Sequence, residues 1–214
     1  MTTPLIVVGA GGFGREVLDL IDAVNGASDE PVFELLGVID STPIGPNIDL
    51  LAKRNVKYLG DETQWFSGGQ SAQYVIGIGD PHVRQAVDER FLDAGFSPAT
   101  IVHPQSLLGS GCVVGAGSVI CAGAIVATEV TLGRHVHLNP RATVGHDSIL
   151  GNYVSVNPSA TISGNVKVGD NTLIGAASVI LQGLTVGDHS VIGAAACVVR
   201  DVPSATTVKG VPAR

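Results

Sequence analysis

Aliphatic side chains recur at every sixth position through the second half of the sequence, without a single slip. The sixteen positions are Leu108, Val114, Ile120, Val126, Leu132, Leu138, Val144, Leu150, Val156, Ile162, Val168, Ile174, Ile180, Val186, Ile192 and Val198. Four residues after each of them the side chain is mostly small or β-branched, as at Ser118 and Ala124. Glycine often follows the aliphatic residue directly, as at Gly109 and Gly145, which we attribute to tight corners. Three short strands joined by such corners close one coil, so the pattern predicts a hexapeptide parallel β-helix of just over five coils.

The first hundred residues show a different pattern, in which short apolar strands alternate with helical spacing. Elements are predicted, in this order, at Leu5–Val8, Arg15–Val24, Leu35–Ile39, Tyr74–Ile78 and from Pro81 to about Asp93. The last helix has Val83 and Leu92 among its apolar positions and Arg84 and Arg90 among its polar ones. This alternation predicts an α/β, Rossmann-like domain with a small parallel sheet. We therefore expect two domains, an α/β domain over 1–102 and a β-helix over 103–214.

A glycine-rich segment, GAGGFG, joins the first predicted strand to the first predicted helix. Its four glycines are Gly9, Gly11, Gly12 and Gly14. Glycines at this place let a phosphate approach the backbone at the start of the helix. Asp40 ends the second strand, and Gly79 with Asp80 follows the third. Because the carboxyl ends of parallel strands meet at one edge of the sheet, these residues predict a nucleotide-binding site, although a tight turn without a ligand is the alternative.

Charge and composition separate the two halves and exclude several classes of protein. Residues 1–100 hold 14 acidic and 6 basic side chains, whereas residues 101–214 hold 5 and 6. The formal net charge of -7 argues against a protein that binds nucleic acid. Three cysteines without a CxxC pair predict neither a disulfide framework nor a zinc site, and they favour a reducing, cytoplasmic compartment. The start MTTPLIVV is typical of a first strand rather than a signal peptide, and no apolar run is long enough to span a membrane.

Histidine is the side chain best suited to proton transfer near neutral pH, and the sequence contains six. His146 stands at a corner position of its hexad, and Asp147, which follows it, could hold the ring in one tautomer. The equivalent position one coil further is Gly164, where the missing Cβ would leave room for a thioester beside the imidazole. A solvated corner pair without chemistry is the alternative interpretation of His146 and Asp147. No cysteine has a histidine at its side in the sequence, so ordinary packing is expected for all three.

Several stretches of the sequence resemble the bacterial sugar acyltransferases of the hexapeptide-repeat type. They are, in order, GAGGFGREV, GVID, IGD, LNPRATVGHDSILGNYVSVNPSATISGNVKVG and the terminal KGVPAR. The similarity extends over essentially the whole chain, and VGHD is its most diagnostic part. The family includes sialic acid O-acetyltransferases and N-acetyltransferases that act on UDP-4-amino-4,6-dideoxy sugars. The resemblance implies a left-handed β-helix, a homotrimer and active sites between adjacent β-helices.

The resemblance also implies roles for residues of the β-helix. The position of the family base is His146, and the acid beside it, a glutamate in some members, is Asp147. Acetyl-CoA would lie along the groove with the N–H of Gly164 near its thioester oxygen, and Asn139 would face the sugar. Many members carry a second histidine nine residues after the first, near the coenzyme. Here that position is Ser155, so we expect a contact to acetyl-CoA that cannot supply a base.

For the first domain, the resemblance implies that a nucleotide-sugar is held by the Gly9–Gly14 loop and Asp40, with Gly79 and Asp80 nearby. We therefore predict an acetyltransferase that acts on a nucleotide-linked amino sugar, a UDP-4-amino-4,6-dideoxy sugar, by direct transfer with His146 as general base and without a metal. O-acetylation of sialic acid or another sugar is one alternative. A trimeric nucleotide-sugar-binding protein without catalysis is an alternative of another class. Serine and maltose acetyltransferases fit less well, because the front domain is α/β and the hexads hold no inserted loop.

Overall fold

The computed structural model describes residues 2–214, which separate into two compact units. The α/β unit comprises the chain up to Gly79 together with Ala86–Ile101. The β-helix unit comprises Asp80–Gln85 together with Val102–Arg214. The short segment Asp80–Gln85 thus belongs to the β-helix unit, although we expected it within the first domain.

The α/β unit is built on a parallel sheet of three strands in the order β2-β1-β3. The elements are, in chain order, β1 (Thr3–Val8), α1 (Gly12–Gly26), β2 (Phe33–Ile39), α2 (Gly45–Lys53), α3 (Glu62–Ser67), β3 (Gln73–Ile76) and α4 (Pro81–Asp93), the last of which passes from the β-helix unit into this one at Ala86. The strands are buried apolar runs, as expected of a sheet covered by helices, and Leu5, Ile6 and Val7 are fully buried. The predicted α/β fold is confirmed, and α2 and α3 are helices that the sequence pattern did not predict.

Glycines around the first loop serve two different purposes. A Cβ on Gly14 would lie 1.9 Å from the carbonyl oxygen of Gly9, and one on Gly77 would lie 2.4 Å from the Cα of Gly14. Gly14 and Gly77 are therefore required where helix α1 packs closely against the sheet. A Cβ on Gly11 or Gly12 meets nothing within 4 Å, so the backbone at the start of α1 is open at these two positions.

The β-helix unit has three faces, each a stack of two-residue parallel strands. The first face holds β4 (Ile101–Val102), β7 (Val119–Ile120), β10 (His137–Leu138), β13 (Ser155–Val156), β16 (Leu173–Ile174), β19 (Val191–Ile192) and β21 (Thr207–Val208). The second face holds β5 (Leu107–Leu108), β8 (Ile125–Val126), β11 (Thr143–Val144), β14 (Thr161–Ile162), β17 (Val179–Ile180) and β20 (Cys197–Val198). The third face holds β6 (Val113–Val114), β9 (Thr131–Leu132), β12 (Ile149–Leu150), β15 (Lys167–Val168) and β18 (Thr185–Val186). This parallel solenoid of about six turns is consistent with the predicted left-handed β-helix.

Each of the sixteen predicted hexads contributes one strand, β5 to β20. From Ile120 to Val198 the aliphatic residues are buried, and together with the small residues they form one continuous core. The core also includes Val202 and Val208, which lie beyond the predicted hexads. The pattern missed them because the last coil is shorter: Val202 bridges Val186, which precedes it by sixteen residues rather than eighteen.

The corners adopt left-handed backbone at a different position from the one we expected. Positive φ recurs at every sixth residue, just before the small inward residue, and mostly on residues other than glycine, such as Asp147 at φ 59°. The glycines that follow the aliphatic residues serve coil stacking, since a Cβ on Gly145 would lie 2.4 Å from the backbone of Ser163 in the next coil. The expectation that these glycines supply the corner conformation is therefore wrong.

Candidate active site

His146 and Asp147 lie at the corner between the second and the third face, after β11 and before β12. Asp147 occupies the left-handed region at φ 59°, which aspartate tolerates better than most residues. Two backbone hydrogen bonds hold this corner in the stack. The amide of Asp147 donates to the carbonyl of Thr128 (3.1 Å), and the amide of Asn165 donates to the carbonyl of His146 (2.7 Å). The coils on either side therefore fix the backbone that carries both side chains.

The two side chains share one hydrogen bond, in which Nδ1 of His146 lies 2.6 Å from Oδ2 of Asp147. An ionised carboxylate can only accept, so Nδ1 carries the proton and Nε2 keeps the lone pair. Both side chains are exposed, His146 by 62% and Asp147 by 58%. An oriented imidazole with an accessible lone pair has the geometry of a general base.

The ring of His146 lies over Gly164, in the next coil. A Cβ built on Gly164 would stand 2.5 Å from Nε2 and 2.6 Å from Cε1 of the ring. These distances are far below the usual contact distance between non-bonded carbon atoms. The missing Cβ therefore makes room for the imidazole itself, whereas we expected it to make room for a thioester.

Asn139 and Ser155 lie away from this corner. Asn139 follows β10, at the corner between the first and second faces, and its Nδ2 donates to the carbonyl of Val156 (3.1 Å) and to Oδ1 of Asn157 (3.3 Å). Ser155 lies on the first face, is 1% exposed, and accepts a hydrogen bond at Oγ from Arg84 (2.9 Å). In contrast to the expected contact with acetyl-CoA, Ser155 presents no surface on which a coenzyme could bind.

Asp40 holds the glycine-rich loop from the end of β2. Its Oδ2 accepts from the amide of Ala10 (2.8 Å), and its Oδ1 accepts from the amide of Thr42 (2.9 Å). The hydroxyl of Tyr58 donates to the backbone carbonyl of Asp40 (2.9 Å). Burial raises the pKa of Tyr58, and the charges of Asp40 and Asp61 raise it further. The carboxylate that we predicted as a ligand contact thus also shapes the loop.

Arg15, which directly follows the glycine motif, binds the carbonyl of Ala10, the residue whose amide Asp40 holds. One of its terminal nitrogens donates to the carbonyl of Ala10 (3.1 Å) and to Oδ1 of Asn47 (2.8 Å). Beside the loop lies a groove of about 420 Å³, lined by Gly12, Arg15 and Lys53 among others. The sequence interpretation missed Arg15 and Asn47, although the position of Arg15 next to the motif was an available signal.

Asp80 directly precedes helix α4 and belongs to the β-helix unit. Its Oδ1 accepts from the amides of His82 (2.9 Å) and Val83 (3.0 Å), which caps the helix. Gly79 precedes it, is exposed, and has nothing within 4 Å of an added Cβ. One turn along the helix, Arg84 is fully buried, which its place among the polar residues did not predict.

Among residues 2–214, no group of three or more His, Cys, Asp or Glu side chains could hold a metal ion. No helix within the same range is long and apolar enough to cross a membrane. Within the same residues, Cys112, Cys121 and Cys197 form no disulfide bond.

An α/β unit with a glycine loop, followed by a hexapeptide β-helix with a His–Asp corner, defines the class of hexapeptide-repeat acyltransferases. Family models agree with this class in both parts of the chain. Residues 4–91 match the PglD N-terminal domain. Residues 107–134 and 165–198 match the hexapeptide repeat of succinyl-transferase. No curated protein matches the chain at a significant level.

Several solved structures, an acetyltransferase domain among them, resemble the chain over its full length. The acetyltransferase domain of PglB from Neisseria gonorrhoeae FA1090 is 27% identical, with a TM-score of 0.85 and coverage of 100% of this chain and 99% of that chain. PerB from Caulobacter crescentus, in complex with CoA and GDP-perosamine, is 26% identical, with a TM-score of 0.87 and coverage of 99% and 96%. WeeI from Acinetobacter baumannii AYE is 25% identical, with a TM-score of 0.84 and coverage of 100% and 99%. In both parts the chain resembles the bacterial sugar acyltransferases of the hexapeptide-repeat superfamily, and it is an acyltransferase, as predicted. The matches give no support to the alternative of a non-catalytic binding protein.

Proposed function

We propose that this protein transfers the acetyl group of acetyl-CoA to the amino group of a sugar linked to a nucleoside diphosphate, with His146 as the general base. The observation that carries the proposal is the exposed His146–Asp147 pair, whose 2.6 Å hydrogen bond orients the imidazole. Two similar structures support the donor and the acceptor, because PglB is solved with acetyl coenzyme A and PerB with CoA and GDP-perosamine. Transfer to nitrogen is favoured over transfer to oxygen, because a similar enzyme is a perosamine N-acetyltransferase.

The proposed reaction is a direct transfer between two bound substrates. The lone pair of the sugar nitrogen attacks the thioester carbonyl, and a proton of that nitrogen passes to Nε2 of His146. The C–S bond breaks as the amide forms, and the imidazolium returns its proton to the departing sulfur, which regenerates the base. Asp147 stabilises the imidazolium through Nδ1 during this step. A backbone N–H at Gly164 would donate to the carbonyl oxygen as it gains negative charge.

The proposal involves no acyl-enzyme, which requires an activated nucleophile. Cys121 is 1% exposed, and the thiol of Cys112 donates to the carbonyl of Ala127 (2.9 Å). Both cysteines are thus engaged in packing or hydrogen bonding, in agreement with direct transfer. Ser155 is left out of the proposed coenzyme site because it is buried.

The acceptor would bind at the loop that Asp40 and Arg15 hold, where Gly11 and Gly12 leave the backbone open. Backbone amides at the start of a helix favour phosphate oxygens, which suits the diphosphate of a nucleotide-sugar. The nucleobase of the acceptor is to be identified by experiment, because the family resemblance suggests UDP whereas PerB is solved with GDP-perosamine. Asp80 and Asn139 are proposed as further contacts to the acceptor.

We also propose that the protein is a homotrimer in the cytoplasm. Large apolar side chains are exposed on the two faces that flank the His146 corner, Leu107 and Ile125 on the second and Val113 and Ile149 on the third. Exposed apolar patches commonly mark surfaces that a further chain covers. Light scattering in solution would test the trimer, and a mass equal to that of one 21.8 kDa chain would contradict it.

The proposed function is tested by incubation of the protein with acetyl-CoA and a panel of acceptors, followed by mass spectrometry of the products. The panel contains UDP-, GDP- and dTDP-linked 4-amino sugars, and sialic acid as the hydroxyl acceptor. We expect a gain of one acetyl group on the nitrogen of one nucleotide-linked amino sugar, with release of CoA. Acetylation of sialic acid alone would support the O-acetyltransferase alternative, and no acetylated product from any acceptor would contradict the proposal.

A further inference from the structure

Arg84, in the first half of helix α4, is fully buried within the β-helix unit. Its Nε donates to the carbonyl of His135 (3.0 Å), and one terminal nitrogen donates to the carbonyl of Tyr153 (2.7 Å) and to Oγ of Ser155 (2.9 Å). His135 and Tyr153 are corner residues of successive coils, both with left-handed backbone, and their rings stack 5.8 Å apart. Arg84 therefore ties the Asp80–Gln85 segment to two coils of its own unit, at the corner between the third and the first face.

A buried charge of this kind is costly, so its presence calls for a reason other than stability. Desolvation lowers the pKa of Arg84 from its usual high value to about 9, against the opposing effect of the charge of Asp80. An apolar side chain of similar volume is often equally stabilising at such a place. The planar guanidinium, however, binds several acceptors in one fixed geometry, which neither an apolar side chain nor lysine reproduces. The role of Arg84 therefore lies in the local backbone arrangement that its hydrogen bonds fix.

The segment that Arg84 fixes is the exposed turn that begins with Asp80. The amide of Arg84 donates to the carbonyl of Asp80 (3.0 Å), so the side-chain anchor and the turn are directly connected. His82, in the same turn, stacks on His189 with ring centroids 5.2 Å apart and an interplanar angle of 8°. His189 belongs to the same corner as Tyr153, two coils further along. The turn thus contacts one corner of the β-helix at two levels of the coil stack, through Arg84 and through His82, while Asp80 itself stays exposed.

We infer that Arg84 is a positioning residue of the acceptor site: it locks the Asp80 turn onto the β-helix, so that the nucleotide-sugar meets Asp80 in one orientation. The inference rests on the proposed function, because it takes Asp80 as part of the acceptor site. Arg84 does not contact the substrate, since its side chain is enclosed. Its loss should therefore weaken the binding of the acceptor and leave the chemical step and the binding of acetyl-CoA nearly unchanged.

The test is a kinetic comparison of the full-length protein with its Arg84→Met and Arg84→Lys variants, on the acceptor that the wild type acetylates. We expect Arg84→Met to raise the KM for the nucleotide-sugar by about tenfold or more, equivalent to the loss of one charged hydrogen bond between Asp80 and the acceptor. The kcat and the KM for acetyl-CoA should stay within about threefold of the wild type. Arg84→Lys should give an intermediate KM, because lysine keeps the positive charge but lacks the planar guanidinium that binds several acceptors at once. An unchanged KM for the nucleotide-sugar in Arg84→Met would overturn the inference.

Arg90→Met is the matched control, because Arg90 lies on the same helix and pairs with Glu62 (2.5 Å) within the α/β unit. It should leave both KM values unchanged. Ser155→Ala removes a single acceptor of Arg84 without a large change in packing, and a smaller rise in the same KM is expected. This variant keeps the test decisive if Arg84→Met does not fold, and a Ser155→Ala variant with wild-type KM would then count against the inference.

Hydrogen exchange of the peptide that covers residues 80–85 gives a readout without catalysis. Arg84→Met should exchange faster there, whereas Arg90→Met should match the wild type in that peptide. If the wild type acetylates no acceptor, the proposed function fails, and faster exchange would still support the anchor. Unchanged exchange in Arg84→Met would contradict the anchor whatever the activity.

Discussion

The position of the His146 ring depends on a residue that contributes no side chain. Because a Cβ on Gly164 would stand 2.5 Å from Nε2, the Gly164→Ala variant must displace the imidazole from its place beside Asp147. We expect a fall in kcat of about one to two orders of magnitude, less than or equal to the lower limit of the roughly 10²- to 10⁴-fold loss for a general base that is removed altogether. The backbone N–H of residue 164 is kept in this variant. Steady-state kinetics measures the effect, and a kcat equal to that of the wild type would show that the ring position is unimportant.

A double-mutant cycle separates this steric effect from any other role of Gly164. In a His146→Ala background the ring is absent, so Gly164→Ala should cause no further loss of kcat. Two independent, additive losses would instead show that Gly164 acts through something other than His146, such as a direct contact with the coenzyme.

Individual residues were predictable where the sequence places chemical partners side by side. The adjacency of His146 and Asp147 was visible in the sequence, and the structure shows their hydrogen bond. The burial of Ser155 was not predictable, because it depends on a helix that lies 71 positions earlier in the chain. Long-range contacts of this kind leave no trace in local spacing.

At the scale of the element, His137 places a titratable ring inside strand β10, between Val119 and Ser155 on the first face. Burial holds its pKa well below the usual 6.5, and the nearby charges of Arg84 and His135 lower it further. The folded chain therefore keeps His137 neutral below pH 6.5, where the unfolded chain binds a proton at this residue. Folding stability contributed by this residue is present above pH 6.5 and is lost as the pH falls below it.

We expect the His137→Val variant to lose this sensitivity to acid. Its free energy of unfolding should fall less steeply between pH 7 and pH 5 than that of the wild type, by up to about 1.4 kcal/mol per pH unit. Chemical denaturation at several pH values measures the two slopes. The slope is the quantity to compare, because the substitution also changes packing. Parallel slopes would show that His137 takes up its proton in the folded state as well.

Strands were predictable from the sequence where a hydrophobic period repeats many times. The burial of side chains on a single short helix was less predictable. All sixteen hexads form their strands, and from Ile120 to Val198 each contributes a buried aliphatic residue to one core. Helix α4 is the contrasting case, since Val83 and Leu92 are 47% and 44% exposed while Arg84 is fully buried. The spacing of Arg84, Val87 and Phe91 is that of one helix face, but hydropathy alone assigned the arginine to the surface.

At the scale of the whole molecule, the class of enzyme was predictable and the acceptor was not. The class follows from a repeat and a motif order that extend through the chain. In our proposal the acceptor is held by backbone that is open at Gly11 and Gly12 and by single polar groups such as Asp40. Backbone amides bind the diphosphate of any nucleotide-sugar, so the nucleobase and the sugar have to be identified by experiment.

The central claim is that His146 accepts the proton of the attacking amine, and a comparison of kcat between the wild type and His146→Ala tests it most directly. We predict a loss of about 10²- to 10⁴-fold in kcat on the acetylated amino sugar, with the KM for acetyl-CoA and the melting temperature nearly unchanged. His103→Gln is the control for the removal of a histidine from the β-helix unit, because the ring of His103 accepts a local hydrogen bond from the amide of Gln105 (3.0 Å), and this variant should retain full activity. Turnover by His146→Ala at the rate of the wild type would contradict the account.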